Sequence, residues 1–176
     1  MLRHIAFFLI ILLLNIIQIS FINLTDSVAR LNILILFLVF LVFYFEEIPL
    51  LWWSLITGAV GELFSPYPFG MITVIIIVTA IALMFLFNNF LTNRSLYTFL
   101  LLSIAGTVIY NLLLLIVSYL FYLFNTSNLH LLDGRELWIG LLWQTIINGF
   151  AALIIFFATR LITNKFQKLF LDLKGK

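Results

Sequence analysis

Long apolar runs, interrupted at intervals by charge, proline or asparagine, are the feature that most restricts what this chain can become. Six stand at about residues 5–22, 31–45, 50–64, 71–91, 97–124 and 137–161. A helix crossing hydrocarbon needs about 20 apolar residues, range ~17–25. The second and third runs are short and reach that length only with flanking Asn32, Glu46, Trp52 or Glu62. Local thinning of the bilayer or snorkelling absorbs such a mismatch. A single hairpin over 31–64 dipping halfway would bring Glu46 and Glu47 to the bilayer centre, where carboxylates are costly. Two full spans are therefore expected. Arg3 and His4 before the first run resemble the start of a signal peptide. However, no Ala-x-Ala-like site follows, and Asn15 and Gln18 lie inside the run, so it reads as a first helix.

Composition closes the argument. The chain is 65% hydrophobic and 9% charged, where a soluble domain is roughly 45–50% apolar and about 25% charged. Too few charges are present to cover a soluble surface, and too many apolar residues for a disordered chain. Lipid is the solvent these runs require.

The basic residues give the orientation. With six spans, Arg3, Arg94, Arg160, Lys165, Lys168, Lys174 and Lys176 share one side, and only Arg30 and Arg135 face the other. Cytoplasmic loops collect Lys and Arg, so both termini are expected in the cytoplasm. The expected fold is all-α: a polytopic integral membrane protein with six transmembrane helices. Residues 1–162 form the transmembrane domain and 163–176 a basic amphipathic cytoplasmic tail, either a lipid- or partner-binding surface helix or a stop-transfer flank. Tyr44, Trp52 and Trp53 form an inner aromatic belt, and Tyr67, Tyr119, Tyr122 and Trp138 an outer one.

Chemistry-bearing residues are scarce. The absence of cysteine removes disulfides, thiolate nucleophiles and cysteine-based metal sites. His4 and His130 are far apart and form no metal-ligand pair, so neither a metal nor another cofactor is expected. Asp26, Glu62, His130, Asp133 and Glu136 are the outer-side candidates for acid–base work, and no spacing motif joins them. A membrane enzyme is thus the weakest reading, no catalytic residue is assigned, and nucleic acid is not expected as a partner.

Small and polar residues recur at helical spacing within the runs. The stripes are Asn15 and Gln18; Ser54, Gly58 and Glu62, with Gly61 beside them; Thr73, Ala80 and Asn88; Ser103, Thr107, Asn111 and Ser118, with Gly106 and Tyr110 adjacent; and Gly140, Gln144, Asn148 and Ala152. Two readings stand. The stripes are either helix-packing seams joined by amide hydrogen bonds or the lining of a polar cavity for a small molecule. The second run is apolar throughout 33–43 and is expected at the lipid-facing periphery.

Glu62 is the one carboxylate within a helical run rather than at a break. Ser65-Pro66-Tyr67-Pro68-Phe69-Gly70 follows it and forces a tight non-helical turn. The carboxylate is placed to accept backbone N–H groups at the start of the fourth helix, whose dipole favours an anion. It either pins a helical hairpin or meets a partner or ligand.

The stretch Gly58-Ala-Val-Gly-Glu62-Leu-Phe-Ser65-Pro-Tyr-Pro68-Phe-Gly70 resembles the rod-shape-determining protein MreD family. That family shows a glycine, an acidic residue four later, and a Ser/Gly/Pro turn ending in Pro-apolar-Gly. Gly58, Glu62, Ser65, Pro68 and Gly70 fall on those positions, with Glu62 where the family usually has Asp. The resemblance implies a non-catalytic scaffold subunit of the bacterial cell-elongation machinery, in the cytoplasmic (inner) membrane. Its implied partners are an MreC-like bitopic membrane protein and, through it, the actin-like filament and peptidoglycan synthases. The MreD fold is also similar to the substrate-binding membrane components of vitamin transporters, which supplies the alternative function. Those components carry an Ala-x-x-x-Ala docking motif, and this sequence has none.

Overall fold

The computed structural model describes residues 2–22, 31–45, 47–65, 67–91, 93–123 and 134–174, with side chains near several helix ends left aside. Six helices follow one another: α1 (Leu2–Ile22), α2 (Ile33–Tyr44), α3 (Glu47–Glu62), α4 (Met71–Asn89), α5 (Leu96–Leu123) and α6 (Gly134–Lys174). Asp26, Arg30, Glu46, Pro66, His130 and Asp133 lie outside the described residues, as do the side chains of Arg3, His4, Tyr44, Tyr122, Arg135, Glu136 and the tail. Three helices are long and apolar enough to cross a membrane among the described residues: Met71–Asn89, Leu96–Phe121 and Trp138–Arg160. The backbone of α6 continues unbroken to Lys174, so no helix break marks the expected domain boundary at 162.

Local chemistry sets the helix ends. Asn32 caps α2, its side chain accepting the Ile35 N–H, and Ser95 Oγ accepts the Thr98 N–H at the start of α5. Both follow the preference for a short polar acceptor at this position. Pro49 lies in the first turn of α3, where its missing N–H removes no helical bond. Gly70 precedes α4 with φ of 91°, a left-handed conformation that glycine adopts without the Cβ clash.

The expectation that α2 lies at the periphery is overturned. Residues 35–39 and 41–43 are all buried, and α2 packs against each of the other five helices. Around it run α1, α3, α4, α5 and α6, each touching the next, while α1 and α6 are not in contact among the described residues. Near the C-terminal end of α2, Phe43 packs on Phe87, Phe99 and Phe156 with ring centroids 5.9, 5.4 and 6.3 Å away. Lipid tails are as apolar as leucine, so an apolar helix has no preference for lipid over the protein interior. What favours the centre is shape: Gly106 of α5 brings its backbone to the α2–α4 seam, where a Cβ would stand 3.2 Å from Ile35 and 3.1 Å from Leu83.

Two aromatic assignments change with this packing. Trp52 is exposed as expected of a belt residue, but Trp53 is only 8% exposed and belongs to the core. Tyr67 is half-buried and packs against that core. Tyr119 and Trp138 are exposed.

Candidate functional site

Two polar arrangements stand out, and the stripes named above divide between them. The first is the α3–α4 hairpin. Gly58 allows α3 to lie directly on α4: a Cβ there would be 2.7 Å from the Thr73 Cα. One turn further, a Glu62 carboxylate oxygen accepts the Thr73 N–H at 3.0 Å. Thr73 therefore meets both ends of this stripe, its Cα against Gly58 and its N–H on Glu62. The bond joins a carboxylate to the third helical residue of α4, where an unpaired donor and the positive end of the helix dipole would otherwise remain.

The turn is built by the neighbouring residues. Leu63 and Phe64 N–H groups close the end of α3 on Val60 and Gly61 carbonyls, and Ser65 N–H bonds the Glu62 carbonyl. Ser65 Oγ accepts the Tyr67 N–H at 3.2 Å, the Pro68 carbonyl accepts the Met71 N–H at 3.2 Å, and Gly70 supplies the left-handed residue. Gly58, Glu62, Ser65, Pro68 and Gly70 thus each shape one hairpin. Packing of Tyr67 against the core pushes its hydroxyl above the usual pKa. Glu62 is 9% exposed, and among the described residues no cation pairs with it. Asn15 of α1 lies beside this hairpin. It is buried, its amide donating to the Ile11 carbonyl at 2.9 Å and its oxygen facing Gly61.

The second arrangement is a joint between α1, α2, α5 and α6. Gln18 grips the start of α2 twice, donating to the Leu31 carbonyl and accepting the Ile33 N–H, both at 2.7 Å. The Asn32 N–H donates to Asn148 Oδ1 at 3.0 Å, and Asn148 Nδ2 donates to Thr107 Oγ1 at 2.9 Å. Asn111 Nδ2 donates to Gln144 Oε1 at 2.8 Å and to the Thr107 carbonyl at 2.7 Å. The Tyr110 hydroxyl faces the Asn32 side chain. The pairs Phe99–Phe156, Thr107–Asn148 and Asn111–Gln144 step forward in α5 and back in α6 by equal amounts, so one antiparallel register brings the two stripes face to face.

Hydroxyls and amides do different work in these stripes. Ser54, Thr57, Thr79, Ser103 and Thr107 are buried, and each donates to the carbonyl four residues earlier in its own helix. This local bonding satisfies a hydroxyl without a partner helix. The longer amides of Gln18, Asn111 and Asn148 reach across. Gln144 Nε2 and Asn111 Oδ1 have no further partner among the described residues, nor does the second oxygen of Glu62. The arrangement thus offers one neutral donor, one neutral acceptor and one carboxylate oxygen, at half-buried or buried positions.

Asn32 is the member of this joint that the stripes did not include. Its signal was present: an asparagine immediately before an apolar run is a helix N-cap. Gly140, placed in a stripe, has nothing within 4 Å of where a Cβ would stand, so it makes no close helix contact among the described residues. No group of three or more metal-binding side chains gathers among the described residues. Comparison with protein-family models, characterised proteins and solved structures gives no match to this chain.

Proposed function

We propose that the chain is a multi-pass protein of the bacterial cytoplasmic membrane, crossing it six times with both termini inside. We further propose that it acts as a non-catalytic scaffold subunit of the cell-elongation machinery, as its resemblance to MreD implies. One observation carries the reading. The five residues of the resemblance, Gly58, Glu62, Ser65, Pro68 and Gly70, are those that build the α3–α4 hairpin. A motif that shapes a rigid helical hairpin suits a protein whose task is to present helices to other membrane proteins.

The test is co-purification from membranes with a one-span, coiled-coil MreC-like protein, together with cell shape on depletion. Capture of that protein and rounding of rod-shaped cells are expected. Failure of capture with normal shape would remove the reading. Because the chain has no cysteine, single cysteines introduced near Asn93 and within 124–133 report topology without background. The first is expected to be accessible from the cytoplasm and the second from outside.

The second reading, a substrate-binding membrane component of a small-molecule transporter, draws on the joint at the start of α2. There Gln144 Nε2 and Asn111 Oδ1 have no partner among the described residues, one turn from the Asn148–Thr107 bond. Tight binding of a vitamin-sized molecule to the purified protein, abolished by Gln144→Leu, would favour it over the scaffold.

A further inference from the structure

Apart from the central α2, α3 is the shortest helix of this bundle, and among the described residues it touches neither of the two longest, α5 and α6. On the reading that the chain spans the membrane, we infer that its two sides recruit lipids of different length: shorter acyl chains against α3, longer ones against α6.

The α3 side is short and cannot be lengthened. This helix has 16 residues, about 24 Å at 1.5 Å per residue, against a hydrocarbon core of about 30 Å. Its outer face is apolar, with Ile48, Trp52 and Leu55 exposed. Its end is fixed. Gly58 lies on Thr73, Glu62 holds the Thr73 N–H, and the turn residues 63–65 and 67–70 have non-helical backbone. Such backbone is not tolerated facing hydrocarbon, so the turn belongs at the interface. Tilt shortens the span of a long helix but does nothing for a short one, for which the bilayer must thin.

The α6 side is long. Its apolar segment Trp138–Arg160 has 23 residues, about 35 Å, and exposes Trp143, Ile146, Phe150, Ile154 and Phe157. It is locked in register to α5, whose apolar segment of 26 residues is longer still. Among the described residues α3 touches neither α5 nor α6, because α2 and α4 stand between them. The mismatch therefore has opposite signs on the two sides and cannot be averaged within one rigid helix pair.

The tryptophans allow each side to be read separately: Trp52 and Trp53 are on α3, Trp138 and Trp143 on α6. The full chain is reconstituted in phosphatidylcholine vesicles of myristoleoyl, oleoyl or erucoyl chains, each competed against a brominated lipid that quenches tryptophan on contact. W138F/W143F reports the α3 side. W52F leaves the α6 pair as the lipid-accessible emitters, Trp53 being 8% exposed. Subtracting W52F from the unmodified chain recovers the α3 signal should the double variant fail to fold. The expected result is a preference for the shortest over the longest lipid that is about twofold or more greater at α3 than at α6. The same chain-length order and ratio on both sides would overturn the inference while leaving the membrane reading intact. No quenching by any lipid would overturn both.

Discussion

Gly58 and Gly140 both lie inside helices and both fall in a small-residue stripe, yet replacing each by alanine should move stability in opposite directions. In either helix alanine gains about 1 kcal/mol in intrinsic propensity over glycine. At Gly140 nothing stands within 4 Å of the new Cβ, so that gain is realised. At Gly58 the Cβ meets the Thr73 Cα at 2.7 Å and the Thr73 Cβ and Oγ1 at 3.3 Å. Carbon atoms sit best at about 3.5–4.0 Å, so α3 and α4 must part by roughly 1 Å. The obstacle is backbone and cannot rotate away, and overpacking of this kind costs ~1–3 kcal/mol. Net destabilisation of ~0–2 kcal/mol is expected for Gly58→Ala and stabilisation of up to ~1 kcal/mol for Gly140→Ala. The gap between them, ~1–3 kcal/mol, is the steric contribution with propensity cancelled. Equilibrium unfolding by SDS in mixed micelles, followed by tryptophan emission and far-UV circular dichroism, measures it. If Gly58→Ala proves as stable as Gly140→Ala, the close approach of α3 and α4 is wrong, and with it the geometry assigned to Glu62.

The same hairpin makes two further expectations. Glu62→Gln keeps an acceptor for the Thr73 N–H and should lose only part of the stability that Glu62→Leu loses, about 1–3 kcal/mol for a stranded buried donor; equal losses in the unfolding assay would remove the bond from the account. Gly70→Ala places a Cβ on a residue with φ of 91° and should cost ~1–2 kcal/mol by the same assay, although open space surrounds the site; no change would contradict the turn. Between α5 and α6, a double-mutant cycle of Asn111→Leu and Gln144→Leu should give a coupling near ~0.6 kcal/mol and below ~1.7 kcal/mol; a coupling of zero would break the register that also aligns Thr107 with Asn148.

Much of this was legible in the sequence where backbone physics leaves one answer. A carboxylate four residues after a glycine and just before a proline–glycine turn is placed either to pin the next helix or to meet a partner, and Glu62 does accept the Thr73 N–H of that helix. The stripes on α5 and α6 face each other because amides buried in apolar helices need partners, and each stripe supplied them. The position of α2 was not legible. Its residues 33–43 are all apolar, and in lipid that pattern is the same for a helix wrapped by protein as for one wrapped by acyl chains. What placed it at the centre lies on its neighbours: Gly106, the amide of Gln18, and the carbonyl of Asn148. Trp53 escaped for a related reason, since a tryptophan next to Trp52 carries no mark of which of the two faces inward.

The seating of α2 also has a direction in time. Its first residues are held by Gln18, made before it, and by Asn148, which lies 116 residues further along the chain. A ribosome makes α2 long before α6 exists, so the Asn32 N–H must wait without this acceptor through the synthesis of α3, α4 and α5. The helix at the centre of the finished bundle is among the first to be made and the last to be secured. A nascent chain that stops short of α6 carries its own core unfastened.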